Sequence, residues 1–340
     1  MDRTSQRTVE FRLRNSRRGL TLVETIVAMA IIGLLMAIIV PAVQAARTTS
    51  RRMQCQNNLR QITLAMNSYA DSFGTLPQWA VPNNAFDISP NGYEGAFTAI
   101  FPYLDLPEKR DAIARGMTRI PVLECPADSD VGNSATPLSY RLNASPGPNS
   151  GYLTLGPFIA EFGRPPVRLR DVIDGTSQTA CCSEGICLRL SNGNQSVAAA
   201  SPSRYTWTVK IPPLDQNAAT PLAALAVQTD LSINECLSDP RLSTDGGTQL
   251  SNASWQIAND YQTAYTHWFP PNAPFCRASN FNAIPIFLWD NHGAASAHDG
   301  GVNVSYLDGH VKFISQAIDR NVWRAVGTIN GIETNTEGAY

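Results

Sequence analysis

Residues 20–40 form an apolar stretch that is long enough to cross a membrane as a single helix. About 20 apolar residues span the hydrocarbon core in this way, and the only ionisable residue in the stretch is Glu24. A carboxylate inside the core costs roughly 2.5–3.5 kcal/mol on insertion scales, so its presence indicates a function. The alternative is that the charge has no function and is tolerated because it can reach the membrane interface. Glu24 lies only about 6 Å along the helix axis from Leu20, at the end of the span. The stretch predicts a transmembrane helix over residues 20–41.

The first 19 residues form a basic leader that contains six arginines and two acidic residues. Because positively charged segments stay on the cytoplasmic side, we expect the N-terminus in the cytoplasm and the C-terminal part outside. A secretory signal has its small-residue cleavage site after the apolar stretch. Here the small residue at a boundary is Gly19, which precedes the stretch. Cleavage at Gly19 would leave the helix attached to the mature protein.

The charge balance changes beyond the helix. Residues 1–73 hold ten of the 26 basic residues but only four of the 28 acidic residues, so the remainder is acidic. An acidic domain repels polyanions, and no nucleic-acid partner is predicted. The hydrophobic content of 43% is too high for a chain that is disordered throughout.

An amphipathic helix is predicted to continue outside the membrane over residues 42–74. Its apolar residues recur at spacings of three and four, namely Leu59, Ile62, Met66, Tyr69 and Phe73. Gly74 ends it. This apolar stripe needs a partner, most simply a β-sheet of the following domain.

Gly33 and Pro41 mark the part of the helix where helicity is weakest. Proline removes a backbone donor and kinks a helix, and glycine lowers helicity by about 1 kcal/mol relative to alanine. We therefore predict a helix kink in this segment. An ordinary glycine and proline of a membrane helix are the alternative.

Residues 75–340 contain short apolar runs between clusters of Pro, Gly, Asn and Ser, for example RYTWTVKI at 204–211. Such runs predict strands joined by loops. The predicted fold class is α+β: a long N-terminal transmembrane helix that leads into a mostly antiparallel β ectodomain over residues 75–340.

The sequence GGVNVSYLDGHVKFIS at 300–315 predicts a β-hairpin with a two-residue turn at Asp308 and Gly309. That turn would place Tyr306 opposite Val311. One face of the hairpin would then be apolar, and the polar residues would face water. These polar residues are Asn303, Ser305, His310 and Lys312.

The segment RRGLTLVE at 17–24 resembles the type IV prepilin signature: a basic leader, a glycine at the cleavage site, an apolar first residue and a glutamate as the fifth. The resemblance implies that prepilin peptidase cleaves between Gly19 and Leu20 and methylates the new amine of Leu20. Phenylalanine is more common where Leu20 stands. The implied fold is pilin-like.

The resemblance also suggests a role for Glu24. Cleavage creates an ammonium group at a helix N-terminus, where the helix dipole already places about half a positive charge. A carboxylate four residues along the helix would neutralise this ammonium group. Glu24 of a neighbouring chain could do the same, and that pairing would fix the axial register of an assembly.

Several later segments, including LECPADSD at 123–130 and DVIDGTSQT at 171–179, resemble the pilin-like proteins known as the domain of unknown function 1559 group. The tail motif of that group, a histidine, nine residues and Asp-Gly, corresponds to His298, Asp308 and Gly309. An extended strand of ten residues covers up to roughly 30 Å. We therefore predict that His298 and Asp308 have separate structural roles, with His298 bonded to backbone near residues 314–316.

The chain has seven cysteines but no CxxC pair of the zinc-binding type, so no metal site and no cofactor is predicted. A disulfide between Cys125 and another ectodomain cysteine is one prediction, because disulfides persist outside the cytoplasm. Buried structural thiols are the alternative. Asp128 with Asp130, and Asp171 with Asp174, resemble parts of calcium loops that lack their Gly and Glu residues. Calcium therefore remains an alternative to solvated turns.

No hydrolase, metalloprotease or phosphate-loop motif occurs, so the chain is not predicted to be an enzyme. A cluster of aromatic residues could form a sugar-binding face or simply core; its members are Trp255, Tyr261, Tyr265, Trp268, Phe269 and Trp289.

Taken together, these features predict a pilin-like or pseudopilin-like structural protein, processed after Gly19, that assembles through its N-terminal helix. Its expected location is the inner membrane, with a single span and an extracytoplasmic C-terminal domain. Its expected partners are prepilin peptidase, other pilin-like subunits or secretion machinery, and membrane lipid. The alternative is a membrane-tethered protein that binds a carbohydrate or other solute and uses the pilin-type signal for export.

Overall fold

The computed structural model describes residues 21–78, 80–82, 93–104, 119–128, 137–145, 156–158, 165–186, 206–209, 234, 241–242, 255, 263–273, 275–278, 290–291 and 293–331. The cleavage-site residues Gly19 and Leu20 lie outside these ranges, as do Asp130, Tyr261 and Trp289. The chain divides by its internal contacts into two units, residues 1–49 and residues 50–340.

Helix α1 runs without interruption from Leu22 to Phe73. It contains an apolar window long enough to cross a membrane by length and composition. Every residue from 21 to 50 is exposed. Pro41 lies inside α1, and space is open around Gly33. Helix α1 continues through both residues. The kink expected there stays a prediction.

The described part of the second unit contains three sheets. The largest has five strands in the order β11-β10-β4-β3-β7. Its strands are β3 (Tyr140–Ser145), β4 (Ala180–Glu184), β7 (Ala264–Thr266), β10 (Gly301–Tyr306) and β11 (Val311–Ser315). Neighbouring strands are antiparallel except β3 and β7, which are parallel.

A four-stranded sheet has the order β6-β5-β8-β9, and a small sheet pairs β1 with β2. These strands are β1 (Ala80–Pro82), β2 (Tyr93–Gly95), β5 (Thr206–Val209), β6 (Arg241–Leu242), β8 (Phe275–Ala278) and β9 (Asp290–Asn291). Strands β5 and β8 are parallel, and the other pairs are antiparallel.

The prediction of an α+β fold with a long N-terminal helix is confirmed. The two larger sheets are mixed, because each contains one parallel pair of strands. The described residues also form two short helices, α2 (Ala96–Ala99) and α3 (Arg320–Val326).

The outer part of α1 packs on one face of the five-stranded sheet. Leu59, Ile62 and Met66 are fully buried in a cluster that includes Leu142 and Leu307. The predicted apolar stripe therefore covers the sheet over these residues. Phe73, at the end of the stripe, is 63% exposed and contacts only the ring of Tyr69 among the described aromatic rings.

The other face of the sheet is covered by α3. Successive side chains of a strand point to opposite faces, and the even-numbered residues Val302, Val304 and Tyr306 of β10 pack with Trp323. The indole of Trp323 is fully buried and donates a 2.7 Å hydrogen bond to the carbonyl of Phe269. Trp323 therefore anchors α3 against the sheet.

The hairpin of β10 and β11 has a register one residue away from the predicted one. Ser305, rather than Tyr306, lies opposite Val311. The amide of Gly309 donates to the carbonyl of Tyr306, and the amide of Tyr306 donates to the carbonyl of His310. This is a three-residue loop that ends in a left-handed glycine, with φ +94° at Gly309.

A second correction concerns the polar face of β10. Asn303 and Ser305, predicted on the wet face, are fully buried. Their face of β10 is the one that meets α1, so their polar groups bond to the helix rather than to water. Lys312 is exposed as expected, but the observed register places it opposite Val304 rather than on the face of Asn303 and Ser305, and His310 is half-buried.

Candidate functional site

Four chemically active side chains from four separate segments meet at the contact between α1 and the five-stranded sheet. Cys55 lies on α1, Cys125 follows a short 3-10 turn, Glu184 ends β4 and His298 precedes β10. All four are buried. Cys55 and Cys125 form a disulfide. The predicted disulfide at Cys125 is therefore present, but its partner lies on α1 rather than in the predicted ectodomain at 75–340.

The histidine lies between the disulfide and the carboxylate. Nε2 of His298 is 3.3 Å from Oε1 of Glu184 and 3.8 Å from Sγ of Cys125. The potential ligand atoms of all four residues lie within 4.8 Å of one another. We call this set of Cys55, Cys125, Glu184 and His298 the cysteine cluster.

The carboxylate of Glu184 receives two further hydrogen bonds from β10. The amide N–H of Asn303 donates to Oε2 and its side-chain amide donates to Oε1, both at 2.8 Å. Gln56, the residue after Cys55, donates in turn to Oδ1 of Asn303 at 2.9 Å. A buried carboxylate is costly unless it is paired in this way. The cysteine cluster is therefore fixed by bonds from both the helix and the strand.

A row of polar residues on α1 extends this contact along β10. Besides Gln56, Thr63 donates to Oγ of Ser305 at 2.8 Å. Asn67 donates to the carbonyl of Leu307 at 2.9 Å, and Arg60 donates to the carbonyl of Gly309 at 3.4 Å. We call Gln56, Arg60, Thr63 and Asn67 the polar row. Its spacing of four, three and four places it on one side of the helix.

The two ends of the tail motif contact α1 at different positions along the helix. His298 reaches the helix through the disulfide of Cys55, whereas the loop with Asp308 and Gly309 reaches Arg60 and Asn67. No hydrogen bond or ion pair joins His298 to Asp308 in the described part of the chain. The nine residues between His298 and Asp308 contain the whole of β10.

The prediction that His298 bonds to backbone near residues 314–316 is wrong. Its side chain is turned toward Glu184 and Cys125, and its amide donates to Oγ of Ser296. The backbone of Gln316 bonds instead to the carbonyl of Gly300. At the other end of the motif, Asp308 accepts from the amide and the imidazole of His310.

Glu24 folds back onto the start of α1. Its Oε2 accepts from the amide of Thr21 at 2.8 Å and from the hydroxyl of Thr21 at 2.9 Å. The amide of Glu24 donates to that hydroxyl at 3.3 Å. These reciprocal bonds form a capping box. The carboxylate thus faces the residue that directly follows the predicted new N-terminus.

His267 is a structural residue of the core. Its Nδ1 lies 2.8 Å from the carbonyl of Trp323, and its Nε2 lies 2.9 Å from the hydroxyl of Tyr265. Complete burial lowers the pKa of His267 to about 3, against a smaller opposing effect of the Trp323 carbonyl. The imidazole is therefore neutral at physiological pH and acts as a hydrogen-bonding spacer.

The aromatic cluster belongs to the core where it is described. Trp255, Tyr265, Trp268 and Phe269 are all at least 94% buried. Buried rings cannot stack on a sugar in solvent, so these four residues are core rather than a sugar-binding face.

The acidic residues of the supposed calcium loops have partners in the chain. Asp174 accepts from the hydroxyl of Thr328 and from the amide of Gly331. Asp171 accepts from the amide of Arg168 at a 3-10 turn. Asp128 is buried. These bonds give Asp171 and Asp174 structural roles in turns.

The adjacent thiols of Cys181 and Cys182 are free and buried. Burial, together with the neighbouring Cys181, raises the pKa of the Cys182 thiol well above its ordinary value. A protonated thiol is a poor nucleophile, so Cys182 is a core residue rather than a reactive one.

Sequence reasoning missed Cys55, Glu184 and Asn303 as site residues because they are far apart in the chain. The polar row could have been found, since its four residues follow helical spacing directly beside the apolar stripe. Nothing local in the sequence identifies Glu184 as the partner of His298.

Comparisons with known proteins agree with this structure. The prokaryotic N-terminal methylation motif matches residues 14–40, which marks the chain as a prepilin-type, type IV pilin-like protein. A family model described as a protein of unknown function (DUF1559) matches residues 44–321. Neither the curated proteins nor the solved structures gave a significant match. Because the family model covers most of the chain, this protein belongs to the DUF1559 family and carries a prepilin-type methylation motif at its N-terminus.

Proposed function

We propose that the protein is a pilin-like or pseudopilin-like subunit that prepilin peptidase cleaves after Gly19 and that assembles through the N-terminal part of α1. The observation that carries this proposal is the exposure of every residue from 21 to 50. Many of these side chains are large and apolar; Leu22, Met29 and Ile38 are each at least two-thirds exposed. Such a surface needs lipid before assembly and neighbouring helices after it.

Glu24 supplies the polar contact for that assembly. Its carboxylate faces the start of the helix, where cleavage would leave a positively charged amine. The carboxylate could pair with the amine of its own chain or with that of a neighbour. Pairing with a neighbour would fix the axial register of the assembly.

The proposed location is the inner membrane, with the leader in the cytoplasm and residues 42–340 outside. The basic leader supports this orientation. The disulfide between Cys55 and Cys125 supports an oxidising compartment for the outer unit. The proposed partners are prepilin peptidase, membrane lipid, and other pilin-like subunits or secretion machinery. The proposed role is structural rather than catalytic.

The alternative, a tethered protein that binds a carbohydrate or solute, has less support. The four described aromatic residues that suggested a sugar-binding face are buried in the core. The exposed apolar helix favours assembly over ligand capture.

Mass spectrometry of the N-terminus tests the proposal. Membrane-extracted wild-type protein should begin at Leu20 with a methylated amine when prepilin peptidase is present. Gly19→Val should retain the 19-residue leader. Gly33→Ala is the matched control, because a Cβ at Gly33 meets no atom within 4 Å, and it should be processed like the wild type. A free Leu20 N-terminus in Gly19→Val would contradict the assignment.

A further inference from the structure

The cysteine cluster contains two groups that a structural disulfide does not need. A disulfide is neutral and requires no polar neighbours. His298 and Glu184 nevertheless lie beside Cys55 and Cys125, and their side chains are as buried as those of core residues. Burying an imidazole and a carboxylate costs free energy unless their interactions compensate for it. The presence of an imidazole and a carboxylate here, instead of apolar side chains, therefore needs an explanation.

The four side chains are the residue types that bind zinc. Cysteine sulfur, histidine nitrogen and carboxylate oxygen bind Zn²⁺ at about 2.3, 2.0–2.1 and 2.0–2.2 Å. A tetrahedral ion with these bond lengths holds its ligand atoms about 3.3–3.8 Å apart. Nε2 of His298 lies 3.3 Å from Oε1 of Glu184 and 3.8 Å from Sγ of Cys125. These two separations already fit a shared ion.

The surroundings of the cluster fit a metal site as well. Asn303 donates two hydrogen bonds to the carboxylate of Glu184 and so fixes its orientation. Outer partners of this kind orient the ligands in metal sites. The loop that carries His298 is at the surface, since Asp299 and Gly300 next to it are exposed. His298 therefore lies directly beside the protein surface.

We propose that the cysteine cluster is a redox-dependent zinc site, in which Cys55, Cys125, Glu184 and His298 bind one Zn²⁺ when the two cysteines are thiols. The disulfide and the metal are alternative links between α1 and the segment that follows the 3-10 turn at 121–123. This inference does not depend on cleavage at Gly19 or on assembly through α1.

The chemistry balances with a dithiol as the reductant. Two electrons from the dithiol break the bond between the Cys55 and Cys125 sulfurs, both sulfurs become thiols, and the dithiol becomes a disulfide. Binding of Zn²⁺ then releases the two thiol protons, since thiolates are the ligands. The newly made chain, whose cysteines are still thiols, reaches the same state without a reductant.

Cobalt titration of the full-length protein in detergent tests the proposal. Co²⁺ substitutes for Zn²⁺ and gives visible bands when tetrahedral, with a thiolate charge-transfer band in the near ultraviolet. After reduction by a phosphine, the wild type should bind one Co²⁺ with both signals, and Zn²⁺ should displace it. The oxidised protein should show neither signal.

Two variants assign the binding to this cluster. His298→Ala and Glu184→Gln keep all seven cysteines, so a change in binding cannot come from a lost thiol. Loss of even an outer partner lowers metal affinity by roughly 10-fold or more, and each variant should lose at least that much. Replacing both Cys181 and Cys182 by serine is the matched control and should leave the cobalt signals unchanged.

Circular dichroism of each sample separates binding from unfolding. If the reduced wild type is folded but shows no tetrahedral cobalt signal, the proposal is wrong. It is also wrong if His298→Ala and Glu184→Gln bind as tightly as the wild type, because the ion would then occupy other thiols. If reduction unfolds the protein, recovery of the fold on adding Zn²⁺ supports the site, and failure to recover contradicts it.

Discussion

The hydroxyl of Thr63 on α1 donates a 2.8 Å hydrogen bond to the hydroxyl of Ser305 on β10, and both side chains are fully buried. Ser305 also bonds to the backbone amide and carbonyl of Cys182 on β4. This chain of bonds ties the helix to two central strands of the five-stranded sheet. The polar row therefore fixes the position of the helix, while the apolar stripe beside it supplies most of the burial.

Thr63→Val should lower the free energy of unfolding by about 1 kcal/mol, the typical net value of one hydrogen bond. The loss is limited because Ser305 keeps its bonds to Cys182. Denaturant unfolding in detergent measures the difference. Thr49→Val is the matched control: its hydroxyl is exposed and bonds only to the carbonyl of Ala45 in its own helix. That variant should stay within about 0.5 kcal/mol of the wild type. Equal losses in both variants would contradict the assigned role of Thr63.

Gly309→Ala should destabilise the hairpin by about 1–2 kcal/mol, because Gly309 has a φ of +94° that strains a residue with a Cβ. Crowding is not the cause, since the nearest atom to an added Cβ is Leu64 Cδ2 at 3.6 Å. Asparagine tolerates left-handed conformations better, so Gly309→Asn should lose less. Thermal unfolding compares the three proteins. Identical midpoints for the wild type and Gly309→Ala would show that the turn does not require glycine.

The stability of the protein should fall below pH 6.5 because of His267. In the folded protein the pKa of His267 is lowered to about 3, whereas an unfolded histidine titrates near 6.5. Between these values the unfolded chain binds a proton that the folded chain does not. The contribution of His267 to the free energy of unfolding is therefore fully present above pH 6.5. It decreases as the pH falls toward 3, by up to about 1.4 kcal/mol per pH unit.

His267→Gln removes this titration. The variant should be less stable than the wild type at pH 7, because the bonds to Trp323 and Tyr265 are disturbed. The gap between the two proteins should narrow as the pH falls toward 4. Denaturant unfolding at several pH values measures it, and a gap that does not depend on pH would exclude His267 as the cause.

Glu24→Ala should insert into the membrane and be processed, since the change makes the span more apolar, but it should lose side-by-side assembly. Glu24→Gln separates the two functions of the carboxylate, because glutamine can still form the capping box with Thr21 but carries no charge. If charge pairing drives assembly, both variants should lose cross-linked multimers. Undiminished multimers in both would mean that Glu24 only caps the helix.

The helical part of the fold could be predicted closely because its information is local. The apolar stripe of α1 follows from the spacing of Leu59, Ile62 and Met66, and the structure buries all three. The hairpin was located correctly but its register was not. A sequence with Asp-Gly fits both a two-residue turn and a three-residue loop with a final left-handed glycine, and only the pairing of Ser305 with Val311 decides between them.

The sequence by itself determined the prepilin-type N-terminus, the apolar span with Glu24, the amphipathic continuation of the helix and the positions of several strands, because each depends on neighbours a few residues apart. The tertiary structure alone decided which polar residues are buried and which cysteines pair. Cys55 and Cys125 are 70 residues apart, and Glu184 is 119 residues from Asn303. Contacts over such separations depend on sheet order and on how α1 packs on β10, and no local pattern of residues encodes either.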